Sequence, residues 1–422
     1  MRFRNSILYV VCFTVAASVS VMAQIHTDVS DLADRPIVRK AFDYLREIEP
    51  DTIEEQVKIA EIPAPTFQEE KRGAYYKRRF EELDLKSVRV DEAGNVIGER
   101  PGSGGAKAPT LVVVAHLDTV FPIETKLEAV REGKIIRLPG IGDDARGLAV
   151  LLAVVRALNE HSIETVGDLI FVGVVGEEGL GDLKGTRHLF EKELKGRITH
   201  FISLDGAGLG VTVGAVGSKR YRVTYSGPGG HSFGAFGMAN PIHALGRLIE
   251  KVSRFETPSE PKTTFSVGVI RGGTSVNSIA HTASFDIDMR SVDPQELAKL
   301  DAKFQAAAKE ARDEENTRWN NRDAVELSVE KIGDRPAGRQ APDSPIIRLS
   351  SLANKHMGIE DDFGFSSTDS NIPMSIGIPA VTLDIGGKGY KAHSPDEYWD
   401  STDSHVGSQR TLLIVLGVVG VK

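Results

Sequence analysis

The chain has 422 residues, enough for two domains or for one domain with an insertion. Its 51 Lys and Arg residues against 59 Asp and Glu give a formal net charge of −8, without a basic block. This balance argues against nucleic acid as a partner, because nucleic-acid binding draws most of its affinity from phosphate neutralisation. Hydrophobic residues at 41% and charged residues at 26% are typical of an ordinary globular protein.

The first 23 residues have the pattern of a secretory signal. Arg2 and Arg4 precede an uncharged apolar run at 7–21, and small or aliphatic residues follow it. An uncleaved membrane anchor is the alternative, although the run is short for a bilayer span. Cleavage would remove Cys12, the only cysteine, and with it any disulfide or thiolate chemistry. We expect an exported protein, periplasmic or secreted, without stable membrane association after cleavage.

Residues 24–217 are predicted to form the first part of an α/β domain. Two amphipathic helices come first, at 37–62 and 69–83, and a Thr66-x-x-Glu69 capping box opens the second. Short apolar runs then predict buried strands, and a helix lies between the first two of them. The strands are expected at 111–115, 169–175, 201–204 and, much later, 380–385, with the helix at 148–158. This alternation is typical of a mainly parallel sheet with helices on both faces.

Residues 218–334 have a different pattern, which predicts an inserted domain. Strands and helices follow in the order β-α-β-β-α-β, a ferredoxin-like arrangement. They are expected at 220–225, 241–255, 264–270, 282–288, 294–311 and 324–331. The α/β pattern resumes at 335–422, so the first domain is predicted to be discontinuous.

Candidate chemical groups follow the predicted strands, where an open α/β sheet places its active site. His116 and Asp118 come directly after 111–115, and an Asp118 carboxylate could accept the spare ring N–H of a metal-binding His116. A carboxylate that caps a turn is the alternative interpretation. Asp143 and Asp144 precede the 148–158 helix, where they could either cap it or bridge two cations.

Further carboxylates and a histidine complete the set. Glu177 and Glu178 follow 169–175 as a pair, either as a solvent-facing acidic turn or as a general base beside a metal ligand. Five side chains together form a set of nitrogen and oxygen ligands that could hold two ions sharing one carboxylate: His116, Asp144, Glu178, Asp205 and His393. Such a set suits zinc, with cobalt or manganese as alternatives.

The ordered series of these motifs resembles the zinc-dependent exopeptidase and amidohydrolase family. That family contains peptidase T, glutamate carboxypeptidase, succinyl-diaminopimelate desuccinylase, acetylornithine deacetylase and aminoacylase. The resemblance covers nearly the whole mature chain and rests on the following motifs: His116-x-Asp118, Asp143-Asp144, Gly176-Glu177-Glu178, Asp205, Gly230-His231 and His393.

The resemblance implies roles for these residues. His116 and Asp205 would hold one ion, Glu178 and His393 would hold its neighbour, and Asp144 would bridge them. Asp118 would orient His116, and Glu177 would be the base that takes a proton from water and passes it to the leaving amine. The inserted domain would be a lid that also forms a homodimer. His231 of this lid would stabilise the oxyanion, often in the site of the partner subunit.

The lid also carries polar groups that resemble the family's contacts to a substrate carboxylate, namely Asn277, Arg290 and Arg335. Surface ion pairing is the alternative for both arginines. Ser366-Ser367-Thr368-Asp369 replaces a glycine-rich stretch of other members that helps to shape the substrate pocket, and Asp369 is its predicted substrate contact. Ala145-Arg146 likewise stands where many members have a lysine.

The sequence therefore predicts a di-metal hydrolase of amide bonds, an exopeptidase acting on short peptides. Two alternatives remain. The chain could deacylate N-acyl amino acids, which also present an amide beside a carboxylate. It could instead be a non-catalytic exported peptide-binding protein on the same scaffold, although such a protein has no need for a base beside two metals.

Overall fold

The computed structural model describes residues 29–422. The predicted signal at 1–23, with Cys12, lies outside these residues. In the part of the chain that is described, no helix combines the length and the hydropathy that a membrane span requires.

The described chain begins with four helices, and single helices and strands, alone or in groups, make up the rest. The helices are α1 (Val29–Asp34), α2 (Pro36–Glu47), α3 (Glu49–Ala60), α4 (Glu70–Glu82), α5 (Ala145–Glu160), α6 (Lys184–His188), α7 (Pro241–Ser253), α8 (Pro294–Arg318), α9 (Pro345–His356), α10 (Asn371–Ser375) and α11 (His405–Val419). The strands are β1 (Lys86–Val90), β2 (Val96–Arg100), β3 (Thr110–His116), β4 (Val130–Glu132), β5 (Ile135–Arg137), β6 (Asp168–Val174), β7 (His200–Leu204), β8 (Val211–Ala215), β9 (Gly217–Ser226), β10 (Gly230–His231), β11 (Thr263–Gly272), β12 (Ser278–Ile279), β13 (Thr282–Ser291), β14 (Glu326–Arg335), β15 (Gly338–Arg339), β16 (Phe363–Ser366), β17 (Ala380–Leu383), β18 (Lys388–Tyr390) and β19 (Tyr398–Asp400).

The first domain is built on a nine-stranded sheet in the order β1-β2-β6-β3-β7-β17-β8-β15, with β16 paired to β8. The central neighbours β6, β3, β7 and β17 run parallel, as predicted. Successive residues of β3 are buried in two different apolar clusters, Val113 in one and Val112 and Val114 in the other. Both faces of the sheet are therefore covered, which explains why its strands are continuous apolar runs.

The inserted domain is a four-stranded antiparallel sheet in the order β11-β13-β9-β14. With α7 and α8 packed on it, this is the predicted ferredoxin-like arrangement. The sheet begins at Gly217 and ends at Arg335, one residue outside each predicted boundary. The segment has its own apolar core, which includes Phe285 and Phe304. We call this domain the lid.

Two local predictions near the start of the chain are wrong. The single helix predicted at 37–62 is two helices, because Pro50 at the start of α3 cannot continue the hydrogen bonding of α2. The capping box before α4 does not form, since the Thr66 hydroxyl donates to Asp118 and the Glu69 carboxylate accepts the N–H of Gly176 instead. Both side chains thus bind loops at the carboxyl edge of the large sheet.

Candidate metal centre

The predicted chemical groups meet at one edge of the large sheet. His116 is the last residue of β3, Glu177 and Glu178 follow β6, and Asp205 follows β7. These strands are parallel neighbours, so their carboxyl ends reach the same edge. Gly176 makes the turn from β6 into the glutamate pair with a backbone φ of +65°, which a glycine adopts without strain.

Asp143 lies between two histidines. Its Oδ1 is 2.9 Å from Nε2 of His116, and its Oδ2 is 3.0 Å from Nε2 of His393. Burial alone would raise the pKa of Asp143, but the hydrogen bonds to these two histidines outweigh it and hold that pKa below its usual range. The carboxylate therefore presents one ionised oxygen to each histidine.

Three candidate ligand groups lie among the described residues; one consists of His116, Glu177 and Glu178, and the other two overlap at Asp143. His116, Asp143 and Asp205 form one set whose ligand atoms all lie within 4.8 Å of one another, and Asp143, Glu178 and His393 form a second. Nε2 of His393 is also 3.0 Å from Oε1 of Glu178. The ligand atoms of a tetrahedral zinc ion, each ~2.0–2.2 Å from the metal, lie ~3.3–3.6 Å from one another. The side chains of this set would therefore need to move only slightly to bind such an ion.

The donor chemistry also fits divalent cations. Burial raises the pKa of Asp205 well above its usual value, and the neighbouring Asp143 raises it further. Several carboxylates thus converge in a buried pocket, and cations would offset the cost of burying their charge. The residues present fit two ions, with Asp143 as the shared ligand.

This placement corrects the predicted bridging ligand, which was Asp144. The Asp144 carboxylate belongs to none of the candidate ligand groups: Oδ2 accepts the backbone N–H of His116 and Oδ1 accepts that of Gly147. Asp144 is therefore the N-cap of α5, and its neighbour Asp143 is the bridging candidate. Two adjacent aspartates at a helix start allow either assignment from sequence, because the two side chains point in different directions only once the loop has folded.

Asp118 binds more of the site than predicted. Nδ1 of His116 lies 3.6 Å from Oδ1 of Asp118 and 3.0 Å from the Asp118 backbone carbonyl, so the residue orients the ring mainly through its main chain. Its carboxylate accepts the backbone N–H groups of Glu177 and Glu178 at 3.0 and 2.9 Å. Asp118 thus fixes the loop that carries the glutamate pair as well as His116.

Glu177 is buried and contacts the lid. Its Oε1 accepts a hydrogen bond of 2.9 Å from Nη1 of Arg335, and Nη2 of the same arginine donates to its backbone carbonyl. Burial raises the pKa of Glu177 to about 8, although the positive charges of Arg335 and His116 lower it. Arg335 was predicted to bind substrate, and its guanidinium is instead engaged by the proposed base within this chain.

Residues around the start of α4 support the same edge of the sheet. Thr66 donates to Asp118, Glu69 accepts from Gly176, and the buried Arg72 donates to the carbonyl of Leu117 at 2.8 Å. None of these three roles was predicted. The Thr66-x-x-Glu69 pattern did single out Thr66 and Glu69, but it predicted that they would cap a helix.

The metal ligands line a cavity of about 420 Å³ between the first domain and the lid. Arg220 and Arg290 of the lid reach it, as predicted for Arg290, and both bind Asp288. Ser367 and Thr368 also line it. A larger groove of about 650 Å³ lies elsewhere, around Lys86 and Arg100, and shares none of the ligand residues.

Comparison with known proteins gives matches to both domains. A peptidase dimerisation domain model of the M20 type matches residues 213–316, and a peptidase family M28 model matches residues 95–226. Carboxypeptidase G2 of Pseudomonas sp. (strain RS-16) is 24% identical over 346 residues, covering 78% of this chain and 79% of that protein. Acetylornithine deacetylase of Myxococcus xanthus is 27% identical over 345 residues, covering 77% and 86%.

Solved structures share the whole fold. A Bacillus subtilis protein described as a dinuclear metal binding peptidase from the M20 family superposes with a TM-score of 0.64, at 18% identity, over 89% of this chain and 99% of that one. The family models, the relatives and the solved structures together support the M20 peptidase family as the one that the chain resembles. The resemblance inferred from the sequence motifs is thereby confirmed, as is the fold class.

Two lid residues do not reach the cavity of their own chain. His231 is exposed, and its Nδ1 accepts the N–H groups of Phe233 and Gly234. The carbonyl of Asn277 accepts the N–H of Ser232, so Asn277 lies beside His231 on the lid. The chain therefore presents His231, the predicted oxyanion-stabilising residue, beside Asn277, a predicted substrate contact, and neither residue lines the cavity that holds the candidate ligands.

The predicted substrate contact Asp369 is wrong. Its side chain is buried and does not line the cavity; Oδ1 accepts a hydrogen bond of 2.6 Å from Thr186, and Oδ2 has no partner in the described structure. Its neighbours Ser367 and Thr368 face the cavity instead. The motif was located correctly, but a turn at this point directs its acidic residue inward.

Asp369→Asn is expected to change how stability depends on pH. Burial raises the pKa of Asp369 from 3.8 to about 6, although the hydrogen bond from Thr186 lowers it. Between these values the folded protein keeps a proton that the unfolded chain releases, so wild-type stability falls as the pH rises from about 4 to about 6. The variant has no carboxyl group at this position, so its stability does not fall in this way. Relative to wild type it should gain roughly 1–3 kcal/mol in unfolding free energy between pH 4 and 7.

Denaturant unfolding of both chelator-treated proteins at several pH values measures this difference. Parallel pH profiles for the two proteins would contradict the assignment of a buried, proton-retaining Asp369.

Proposed function

We propose that this protein is a di-metal hydrolase of amide bonds, acting as an exopeptidase on short peptides. One observation carries the proposal: a buried carboxylate, Glu177, directly precedes Glu178 beside two ligand sets that share Asp143. The two sets already offer three ligands to each of two ions, so Glu177 is not needed as a ligand. Its position beside both sets is the one required of a general base.

The reaction is divided among the side chains of the site. Asp143, His116 and Asp205 would hold one ion, and Asp143, Glu178 and His393 the other. When bound, two divalent ions would lower the pKa of water and polarise the scissile carbonyl. We propose zinc, with cobalt or manganese as alternatives.

Glu177 takes the proton of the attacking water and delivers it to the departing nitrogen. Its buried position beside both ligand sets suits both steps, because a base must lie within hydrogen-bond reach of the proton that it takes. Asp118 keeps this carboxylate in place through the backbone N–H group of Glu177. The guanidinium of Arg290 uses Nε to bind Asp288, and its remaining N–H groups would receive a substrate carboxylate.

Deacylation of N-acyl amino acids is the second candidate. The likeness to both carboxypeptidase G2 and acetylornithine deacetylase supports either activity. Both substrate classes present an amide beside a carboxylate, which matches a cavity lined by metal ligands and lid arginines. A non-catalytic peptide-binding role is disfavoured by the retained Glu177.

Metal-reconstituted assays separate these functions. Dipeptides, tripeptides and N-acetyl amino acids would be tested with zinc, cobalt and manganese, and with a chelator control. We expect turnover of free peptides that the chelator abolishes and added metal restores. Turnover of N-acetyl amino acids alone would favour the deacylase, and failure on every amide despite bound metal would favour the binding protein.

We propose further that the lid forms a homodimer in which His231 acts in the site of the partner subunit. The match to a dimerisation domain and the distance of His231 from its own cavity support this. Mixing an inactive Glu177→Ala variant with an inactive His231→Ala variant is expected to restore activity, because one site in each mixed dimer would contain both residues. No recovery after verified subunit exchange would contradict the shared site.

We also propose export to the periplasm or the medium, on the strength of the signal pattern at 1–23. Amino-terminal sequencing of the secreted or periplasmic protein would test it, with Gln24 as the expected first residue.

A further inference from the structure

Glu397 has an unusual place beside the metal centre. It lies four residues after His393 and just before β19, and its side chain is only 2% exposed. Its Oε2 accepts the backbone N–H of Gly140 at 2.8 Å, and its Oε1 accepts that of Gly142 at 2.9 Å. The carboxylate therefore binds the loop that leads directly into Asp143.

The backbone of Glu397 strengthens the same connection. Its carbonyl accepts the N–H of Leu138 at 3.1 Å, at the start of the loop, and its own N–H donates to Ser394. Gly142 lies so close that a Cβ there would be 3.4 Å from Oε1. One residue thus joins the 138–143 loop to the 393–397 loop through three hydrogen bonds.

These two loops carry ligands of the same ion set. Asp143 and His393 are 250 positions apart in the sequence, and their side chains meet at 3.0 Å. The His393 side chain is 54% exposed, so packing does little to hold it, and its backbone has a φ of +63°, an uncommon value for a residue other than glycine. Beside this loop β19 pairs with β5, and the Glu397 side chain extends that connection to the loop that carries Asp143.

Packing alone does not explain a carboxylate at this position. Glu397 makes no ion pair with any residue in the described part of the chain, and the charged group beside it is another carboxylate, Asp143. Burying an unpaired charge is costly. Two bound cations near Asp143 would offset that cost, and two N–H donors need an acceptor with two oxygens.

We propose that Glu397 is a positioning residue that ties the Asp143 loop to the His393 loop and thereby sets the affinity for the ion held by Asp143, Glu178 and His393. The inference rests on the proposed two-ion centre. A general stabilising role would weaken the binding of both ions. The positioning role predicts weaker binding of one ion alone. The set formed by His116, Asp143 and Asp205 keeps two ligands that Glu397 does not touch.

Equilibrium dialysis against cobalt or zinc, with metal content measured directly, tests the proposal. Wild type is expected to bind two ions per chain. Glu397→Gln should keep one tight ion and bind the other ~10–100-fold more weakly, the usual effect of losing a partner that orients a metal ligand. At low free metal, kcat should fall with little change in KM, and excess metal should restore it. Glu397→Asp keeps the charge but cannot reach both N–H groups, and should show a smaller loss.

Glu315→Gln is the matched control. Glu315 is a fully buried carboxylate of the lid that also accepts a backbone N–H, from Asn240 at 3.1 Å, but it touches no ligand loop. This variant should bind both ions as wild type does, whatever its thermal stability. Binding of both ions with wild-type affinity by Glu397→Gln and Glu397→Asp would overturn the proposal for Glu397 alone. Binding of fewer than two ions by wild type would instead overturn the two-ion centre, and the proposal with it.

Discussion

Asp143→Asn is expected to abolish tight binding of both ions and, with it, turnover. The amide would offer one neutral oxygen where the carboxylate presents an ionised oxygen to each histidine, so both ligand sets lose a member. The fall in kcat/KM should exceed the ~100-fold that the loss of an outer partner of a ligand can cause. Metal content after dialysis and steady-state kinetics on the best peptide substrate measure the two effects.

Asp144→Asn is the matched control for this prediction. It makes the same chemical change one residue later, on a side chain that accepts the backbone N–H groups of His116 and Gly147. We expect it to keep both ions, with any cost falling on thermal stability, because an amide nitrogen would face a backbone donor. If Asp144→Asn lost both ions while Asp143→Asn kept them, the assignment of the bridging ligand would be reversed.

Glu177→Gln is expected to keep both ions and to reduce kcat by ~10²–10⁴-fold, the usual contribution of a general base. The amide oxygen can still accept the hydrogen bond from Arg335, so the lid contact should survive, but the side chain can no longer take a proton. Metal analysis and kcat measured on the same preparation test both parts of the prediction.

Glu178→Gln provides the contrast, because it alters the adjacent carboxylate by the same chemistry. Glu178 lies 3.0 Å from His393 in the second ligand set, so this variant should lose metal together with activity. Substantial turnover by Glu177→Gln, or a loss of metal equal to that of Glu178→Gln, would remove the distinction between base and ligand.

The strands and the edge at which they end were predictable from sequence for a simple physical reason. Strands buried on both faces are continuous apolar runs, and β3, β6 and β7 each have this pattern with a polar residue at the end. Parallel strands then bring those ends together without further information. The structure accordingly places His116, Glu178 and Asp205 at the same edge of the sheet, and their role as metal ligands remains a prediction.

The remaining details depend on tertiary contacts that local patterns do not contain. Asp143 and Asp144 have the same chemistry and differ only in the direction that the folded loop gives them. Asp369 turns inward to Thr186, from a part of the chain 183 positions away. Arg335 binds Glu177 across 158 positions, and the pattern around it indicated only a cation at the lid boundary.

The contacts of Thr66, Glu69 and Arg72 bear on how the chain can be shortened for study. A version that began at β1, the first strand of the large sheet, would keep every metal ligand and the proposed base. It would nevertheless lose the donor to Asp118, the acceptor for Gly176 and the donor to Leu117. A shortened chain that keeps these contacts must therefore start before residue 66, well ahead of the first ligand, so the position of the ligands alone does not show where the chain can be cut.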